Sequence, residues 1–254
     1  MDRPLIDIQG LTKRYGDFTA IADLDLAVGA GELFALLGPN GAGKTTTIRM
    51  LMGILRPTAG TARIAGHDCF AERVEVMRHI GYLPDEPVFY DYLRGREIVR
   101  FVGEMHGLDR AEIERRAGPL SERLELADAT EEFAVNYSKG MKKKLALLCA
   151  LLPEPKVLIL DEPTNGLDPY ATRALHDLMR EQVAMGRTIF FSTHLLDQAE
   201  KLCHRVGIVF KGRLVAVGTL AELRERVATT GAPSATLEDV FFALTGDRGE
   251  PAQA

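Results

Sequence analysis

Residues 38–45 read Gly38-Pro39-Asn40-Gly41-Ala42-Gly43-Lys44-Thr45, which satisfies the spacing GxxxxGK[ST]. The apolar run LFALL, residues 33–37, leads into it, and residues 44–55 have helical character up to a stop near Pro57. Few folds accommodate that order. A buried strand must enter a tight glycine turn and leave it directly as a helix, whose first N–H groups lack intrahelical partners. The glycines let the backbone aim its N–H groups at phosphate oxygens, and the helix N-terminus adds a positive dipole. Lys44 then reaches the β and γ phosphates of a nucleotide, and the Thr45 hydroxyl ligates Mg²⁺. A glycine-rich turn with a chance Lys-Thr is the bland alternative, and the flanking strand and helix argue against it.

A second apolar run, VLIL at residues 157–160, ends in Asp161-Glu162-Pro163. Acids at the carboxyl end of a parallel strand face the crevice where open α/β sheets bind ligands. Asp161 is expected to hold the Mg²⁺ shell through water. Glu162 is expected to polarise an attacking water as general base or orienter. A solvated acidic turn is the alternative, weakened by the phosphate cradle in the same chain.

Other strands are predicted at residues 5–9, 20–28, 80–83 and 188–192, with a late hairpin of residues 206–210 and 213–217 around Lys211-Gly212. Helical patterning dominates residues 97–152, recurs around Leu175 and Leu178, and returns in an amphipathic tail from Leu220, with frayed residues at 247–254. Strands alternating with helices predict an α/β core with a mainly parallel sheet. The reading is one domain over 1–254: a core of 1–96 and 153–220, a helical subdomain of about 97–152, and a helical tail of about 220–254. Composition narrows the partners. The net charge of −5 gives no nucleic-acid footprint, although Lys139–Lys144 is locally basic. The three cysteines, at 69, 149 and 203, form no CxxC pair, so neither a disulfide framework nor a zinc site is indicated, and Cys149 reads as core. The start MDRPLIDIQG shows no signal-peptide apolar region, and no uncharged apolar run reaches the length of a membrane helix. The chain is expected in the cytosol, and any spanning part must come from a separate chain.

Beyond the phosphate loop and the acids, the chain resembles the ATP-binding subunit of ABC transporters over nearly its whole length. LTKRYGDFTAI, GPNGAGKTTT, YSKGM, VLILDEPTNGLDP and FFSTHLLDQAE follow one another in the family's order. The resemblance implies a P-loop core with a mainly parallel sheet, an N-terminal antiparallel β subdomain and a small α-helical insert. It places Tyr15 against adenine, extends the phosphate loop to Thr46, and sets Ser138 and Gly140 of the signature against a nucleotide held by a partner subunit. It makes Asp168 the D-loop aspartate and brings His194 to the γ-phosphate. Each has a plainer reading too: Tyr15 as a strand-end aromatic, His194 as a core or capping group, and Asp168-Pro169 as N-cap and first residue of a helix.

Two positions depart from the family. Asp85 in IGYLPDEP stands where Gln is usual; it adds negative charge near the γ-phosphate and only accepts hydrogen bonds, yet suits Mg²⁺ or a water, or simply forms a turn with Glu86 and Pro87. Lys139 and Met141 replace a Gly and a Gln of the signature. Lys139 either adds charge to the partner contact or points into solvent, and Lys142 to Lys144 read as a solvated helix face. The resemblance implies an ATPase that binds ATP and Mg²⁺, closes as a homodimer or heterodimer, and drives a separate transmembrane permease from the cytoplasmic face. The resemblance extends to exporter ATPases with a separate membrane subunit, in which PDEP occurs with a YS-x-GM signature, and so implies export rather than import. Two rivals stay open: a soluble ATPase of this type unconnected to transport, and a regulatory half of a heterodimer.

Overall fold

Every residue of β3 (Leu33–Leu37) is buried, and so is every residue of β7 (Val157–Asp161) and β8 (Thr188–Thr193). Strands covered on both faces need no polar alternation, which is why these segments read as continuous apolar runs. Successive side chains still point to opposite faces. Leu33, Ala35, Leu158, Leu160, Ile189 and Phe191 pack on one side with helices. Phe34, Leu36, Val157, Ile159 and Phe190 pack on the other.

The computed structural model describes residues 3–228 and 236–246. The chain begins with β1 (Ile6–Tyr15) and β2 (Phe18–Val28), an antiparallel pair, and then enters β3. After β3 come α1 (Lys44–Leu51), β4 (Ala59–Ile64), β5 (His67–Asp68), α2 (Arg73–Met77) and β6 (Ile80–Leu83). Three helices follow, α3 (Gly95–Met105), α4 (Arg110–Arg123) and α5 (Lys139–Leu151). The chain returns through β7, α6 (Pro169–Ala184), β8, α7 (Leu196–Leu202), β9 (Arg205–Phe210) and β10 (Arg213–Gly218). It closes with α8 (Leu220–Ala228) and α9 (Leu237–Thr245). The expected frayed residues 247–254 lie outside the described residues.

Two sheets result. One has four antiparallel strands in the order β2-β1-β4-β5; the other has six, β10-β9-β3-β8-β7-β6, parallel except for the β9–β10 hairpin. The α/β class, the parallel sheet and the N-terminal antiparallel sheet match the expectation. Because β3 and β7 flank β8 and run parallel, the phosphate loop after β3 and the acids at the end of β7 emerge at the same edge of the sheet. A third buried cluster, including Ile98, Ile113, Leu126, Leu145 and Leu148, sits among α3, α4 and α5. Cys149 is buried there, as expected.

Some boundaries differ from the sequence reading. Strand β1 runs on to Tyr15, and β4 and β5 were not anticipated. Helix α1 ends at Leu51 rather than at Leu55, because Gly53 takes φ 62 and its N–H bonds back to Met50 O at 3.0 Å.

Candidate nucleotide-binding and hydrolytic site

The loop between β3 and α1 turns through Gly43, which caps the helix at φ 108. A Cβ there would come within 2.3 Å of Ile21 Cδ1 and 2.9 Å of Ala20 O, so both the backbone angle and the packing require glycine. Ala42 is turned inward and donates its N–H to Pro39 O at 3.1 Å. Lys44 is buried, with Nζ 2.6 Å from Gly38 O, 3.2 Å from Pro39 O and 3.1 Å from Glu162 Oε1. The loop therefore holds the ammonium rather than leaving it to wander in solvent.

Asp161 is the last residue of β7, and its Oδ1 accepts from Ser192 Oγ at 2.5 Å and Thr45 Oγ1 at 3.3 Å. Burial raises its pKa above the usual carboxylate value, and the two hydroxyls oppose that shift. Glu162 follows at φ 44, a left-handed angle that a non-glycine residue adopts only when its surroundings dictate it. Ser192 Oγ, 3.0 Å away, accepts its N–H. Its carboxylate is buried: Oε2 lies 3.0 Å from His194 Nδ1, while Oε1 faces Lys44 Nζ as an ion pair without a directional hydrogen bond. His194 sits between β8 and α7 and does not cap α7.

A crevice of about 520 Å³ joins these groups. It is lined by the aromatics Tyr15 and Phe18, by loop residues Pro39, Asn40, Gly41, Gly43, Lys44, Thr45 and Thr46, and by Asp85, Glu162, Asn165 and His194. Its size suits a small-molecule ligand. Tyr15 is half exposed, with Lys13 Nζ 5.1 Å from its ring centroid. Asp85 Oδ1 accepts from Asn165 Nδ2 at 3.1 Å and lies 3.7 Å from Lys143 Nζ.

Ser138, Gly140 and Asp168 are not among the lining residues. Ser138 caps α5, its Oγ accepting from Met141 N at 3.2 Å; Asp168 caps α6, accepting from Ala171 N at 2.9 Å, with Pro169 at the first helical position. Both caps are exposed, and Gly140 lies beside the 165–168 turn. The solvated face expected of Lys142 to Lys144 fails at Lys143, which is only 2% exposed because α5 turns it onto the carbonyls of Glu162 and Asn165. Sequence reasoning also missed Phe18, Asn165 and Ser192. The last two stand inside the quoted TNGLD and FFSTH stretches, so their neighbourhood was visible although their contacts were not.

A family model described as ABC transporter matches residues 21–165, more than half of the chain. The chain belongs to the ABC transporter ATP-binding family. This cassette is 41% identical over 219 residues to the "Daunorubicin resistance ATP-binding protein DrrA3" of Streptomyces coeruleorubidus, covering 86% of this chain and 69% of the relative. It is 37% identical over 243 residues to the "Probable multidrug ABC transporter ATP-binding protein YbhF" of Escherichia coli K12, covering 96% of this chain but 42% of that longer one. A solved structure titled "Structure of ATP binding subunit of ABC transporter" superposes with a TM-score of 0.88 at 38% identity, covering 94% of this chain and 99% of that chain. The family is one of ATPases coupled to transport. Among the described residues no helix is long and apolar enough to cross a membrane.

Proposed function

We propose that this cassette hydrolyses ATP in the crevice between the phosphate loop and Glu162, and that ATP-driven dimerisation powers transport, in the export direction, through a separate transmembrane permease. The observation that supports it most is the buried Glu162 carboxylate at the end of β7, held between Lys44 and His194 over the phosphate loop. The names of the relatives, a drug-resistance and a multidrug ATP-binding protein, favour export.

In this reading Tyr15 stacks on adenine, and the backbone from Gly38 to Thr46 embraces the phosphates. Lys44 leaves Glu162 for the β and γ phosphates, which frees the carboxylate to take a proton from the attacking water. His194 steadies Glu162 and meets the γ-phosphate. Thr45 Oγ1 and Asp161 Oδ1, 3.3 Å apart, are hard oxygen donors that fit Mg²⁺, an ion that takes few protein ligands and completes its shell with phosphate and water. A bound Mg²⁺ there supplies charge neutralisation on the phosphates. Asp85 lines the crevice, but its Oδ1 is engaged by Asn165 and Lys143, so we assign it to anchoring the 84–87 turn rather than to the ion.

Ser138, Gly140 and Asp168 serve the nucleotide of a second ATP-binding subunit, identical or different, and residues 85–91 with the helical region pass closure to the permease. The cassette is thus peripheral on the cytoplasmic face of the membrane, with no nucleic-acid partner. The test is ATP turnover by the purified chain and by Glu162→Gln. The variant is expected to bind ATP and to lose about 10²–10⁴-fold in kcat, the range a general base supplies. Undiminished turnover removes Glu162 from the chemistry. Recovery with a polytopic membrane protein from solubilised membranes supports the permease, and its absence from membranes favours a soluble ATPase.

A further inference from the structure

Lys143 is a buried charge that the roles above leave unused. It projects from α5 with 2% exposure. Its Nζ lies 2.6 Å from Glu162 O, 2.9 Å from Asn165 O and 3.7 Å from Asp85 Oδ1. An ammonium has three donors and no acceptor; the two carbonyl oxygens take two of them, and Asp85 stands beyond hydrogen-bond reach as a counter-charge. A cation is retained so far from water only where its partners offset the desolvation. Burial lowers the Lys143 pKa, and Asp85 works against that.

The contacts fall where aim matters. Glu162 stands at φ 44, so its peptide needs outside support. Ser192 holds its N–H and Lys143 holds its C=O. With both ends tied, the side chain enters the crevice between Lys44 and His194. The same ammonium faces Asp85, and one turn earlier Lys139 Nζ lies 3.6 Å from Glu86 Oε1 while its stem lies along Gly166. Positions four apart share a helix face, so α5 offers two cations to two consecutive acids.

We propose that Lys143 is a positioning residue for ATP hydrolysis, fixing the backbone of Glu162 and joining the Asp85 turn to the same point, so that α5 sets the aim of the carboxylate. Asp85, charged where a neutral residue is usual, is then the counter-charge of Lys143. The inference rests on the hydrolytic reading of the crevice.

The experiment measures ATP affinity, KM and kcat for the full chain, K143M, K143R, D85N and D85N/K143M, with thermal melts for each. K143M keeps much of the apolar stem and removes the donors. We expect ATP affinity and KM within about threefold of the unaltered chain and kcat about 10²-fold lower, the scale on which a small misplacement acts. K143R, which keeps donors and charge, is expected to recover at least about tenfold of that loss. D85N is expected to lower kcat alone and to add little in the K143M background, as coupled residues do. A K143M kcat within about twofold of the unaltered chain overturns the proposal, and so do parallel losses in affinity and kcat, or D85N and K143M effects that simply multiply. If K143M does not fold, the cycle is run with K143Q and D85N, since K143Q removes the charge and keeps a polar side chain, and independent effects overturn it. No turnover by the unaltered chain sinks the hydrolytic reading together with this one, whereas turnover that is indifferent to Lys143 sinks this one alone.

Discussion

At the scale of single residues, the site is a set of buried charges that depend on one another. Lys44 and Glu162 are 6% and 8% exposed in their side chains, so removing one leaves the other poorly solvated. Breaking such a pair typically costs about 3–5 kcal/mol, although the intact pair itself contributes little net stability. Lys44→Met is therefore expected to lower the unfolding midpoint in urea, and Lys44→Met/Glu162→Gln to recover most of the loss. A Lys44→Met midpoint equal to that of the unaltered chain would mean His194 and solvent suffice for Glu162. Asp161 makes the opposite case. Its folded pKa lies above the ordinary value because of burial, so folding disfavours its ionised form relative to the unfolded chain. Its stability contribution is fullest below the unfolded pKa and is lost as pH rises through the folded pKa. Asp161→Asn, which keeps an acceptor for Ser192 and Thr45, is expected to raise the melting temperature at neutral pH in the absence of nucleotide and divalent cation. That gain should shrink in acid, while ATP turnover is lost. Melts from pH 4 to 8 decide it, and a neutral-pH melting temperature below that of the unaltered chain counts against the burial argument.

At the scale of elements, two helix starts combine stability with a role in contact. Ser138 and Asp168 satisfy orphan N–H groups of α5 and α6, and losing such a cap costs about 0.5–2 kcal/mol. For a chain of this length that is about 2–4 °C per kcal/mol in melting temperature. Ser138→Ala is thus expected to destabilise, whereas Ser138→Asp, an equally good cap, is not. If Ser138 also serves a partner's nucleotide, Ser138→Asp keeps its melting temperature and loses ATP-driven association by like-charge repulsion. Melts and sizing on the same sample separate the roles, and retained association in Ser138→Asp reduces the residue to a cap. The same elements show what the sequence made legible. Strands β3, β7 and β8 were readable because both their faces are buried, and the acids at the end of β7 because strand direction carries them to the ligand edge. Asp168-Pro169 announced the start of α6 through local chemistry alone. Lys143 was not readable: its neighbours Lys142 and Lys144 suggest a wet face, and its partners lie 19 and 22 residues further along the chain. Strands β4 and β5 escaped because one is six residues beginning Ala-Gly and the other only two, leaving too little alternation to register. Gly53 ended α1 before the more visible Pro57 was reached.

At the scale of the whole molecule, the phosphate loop, Glu162 and His194 share one crevice, while the capped starts of α5 and α6 stand apart from it on exposed turns. A helix start with its positive dipole attracts phosphate, yet neither of these starts contributes a residue to the crevice that holds the phosphate loop. Two copies, or a copy and a similar subunit, arranged head to tail would complete both sites at once, and ATP would be the ligand that favours the closed pair. A ligand shifts such an equilibrium only by its differential affinity for the two states, so blocking hydrolysis should let the pair accumulate. Glu162→Gln with ATP and Mg²⁺ is therefore expected to elute at twice the monomer mass. Removing the divalent cation should return it to monomer, and the unaltered chain should show the pair only while ATP lasts. Adding Ser138→Asp to Glu162→Gln should abolish the shift without weakening ATP binding to the phosphate loop. A Glu162→Gln chain that binds ATP and stays monomeric at every concentration would sink self-association and leave a different ATP-binding subunit as the partner to be sought.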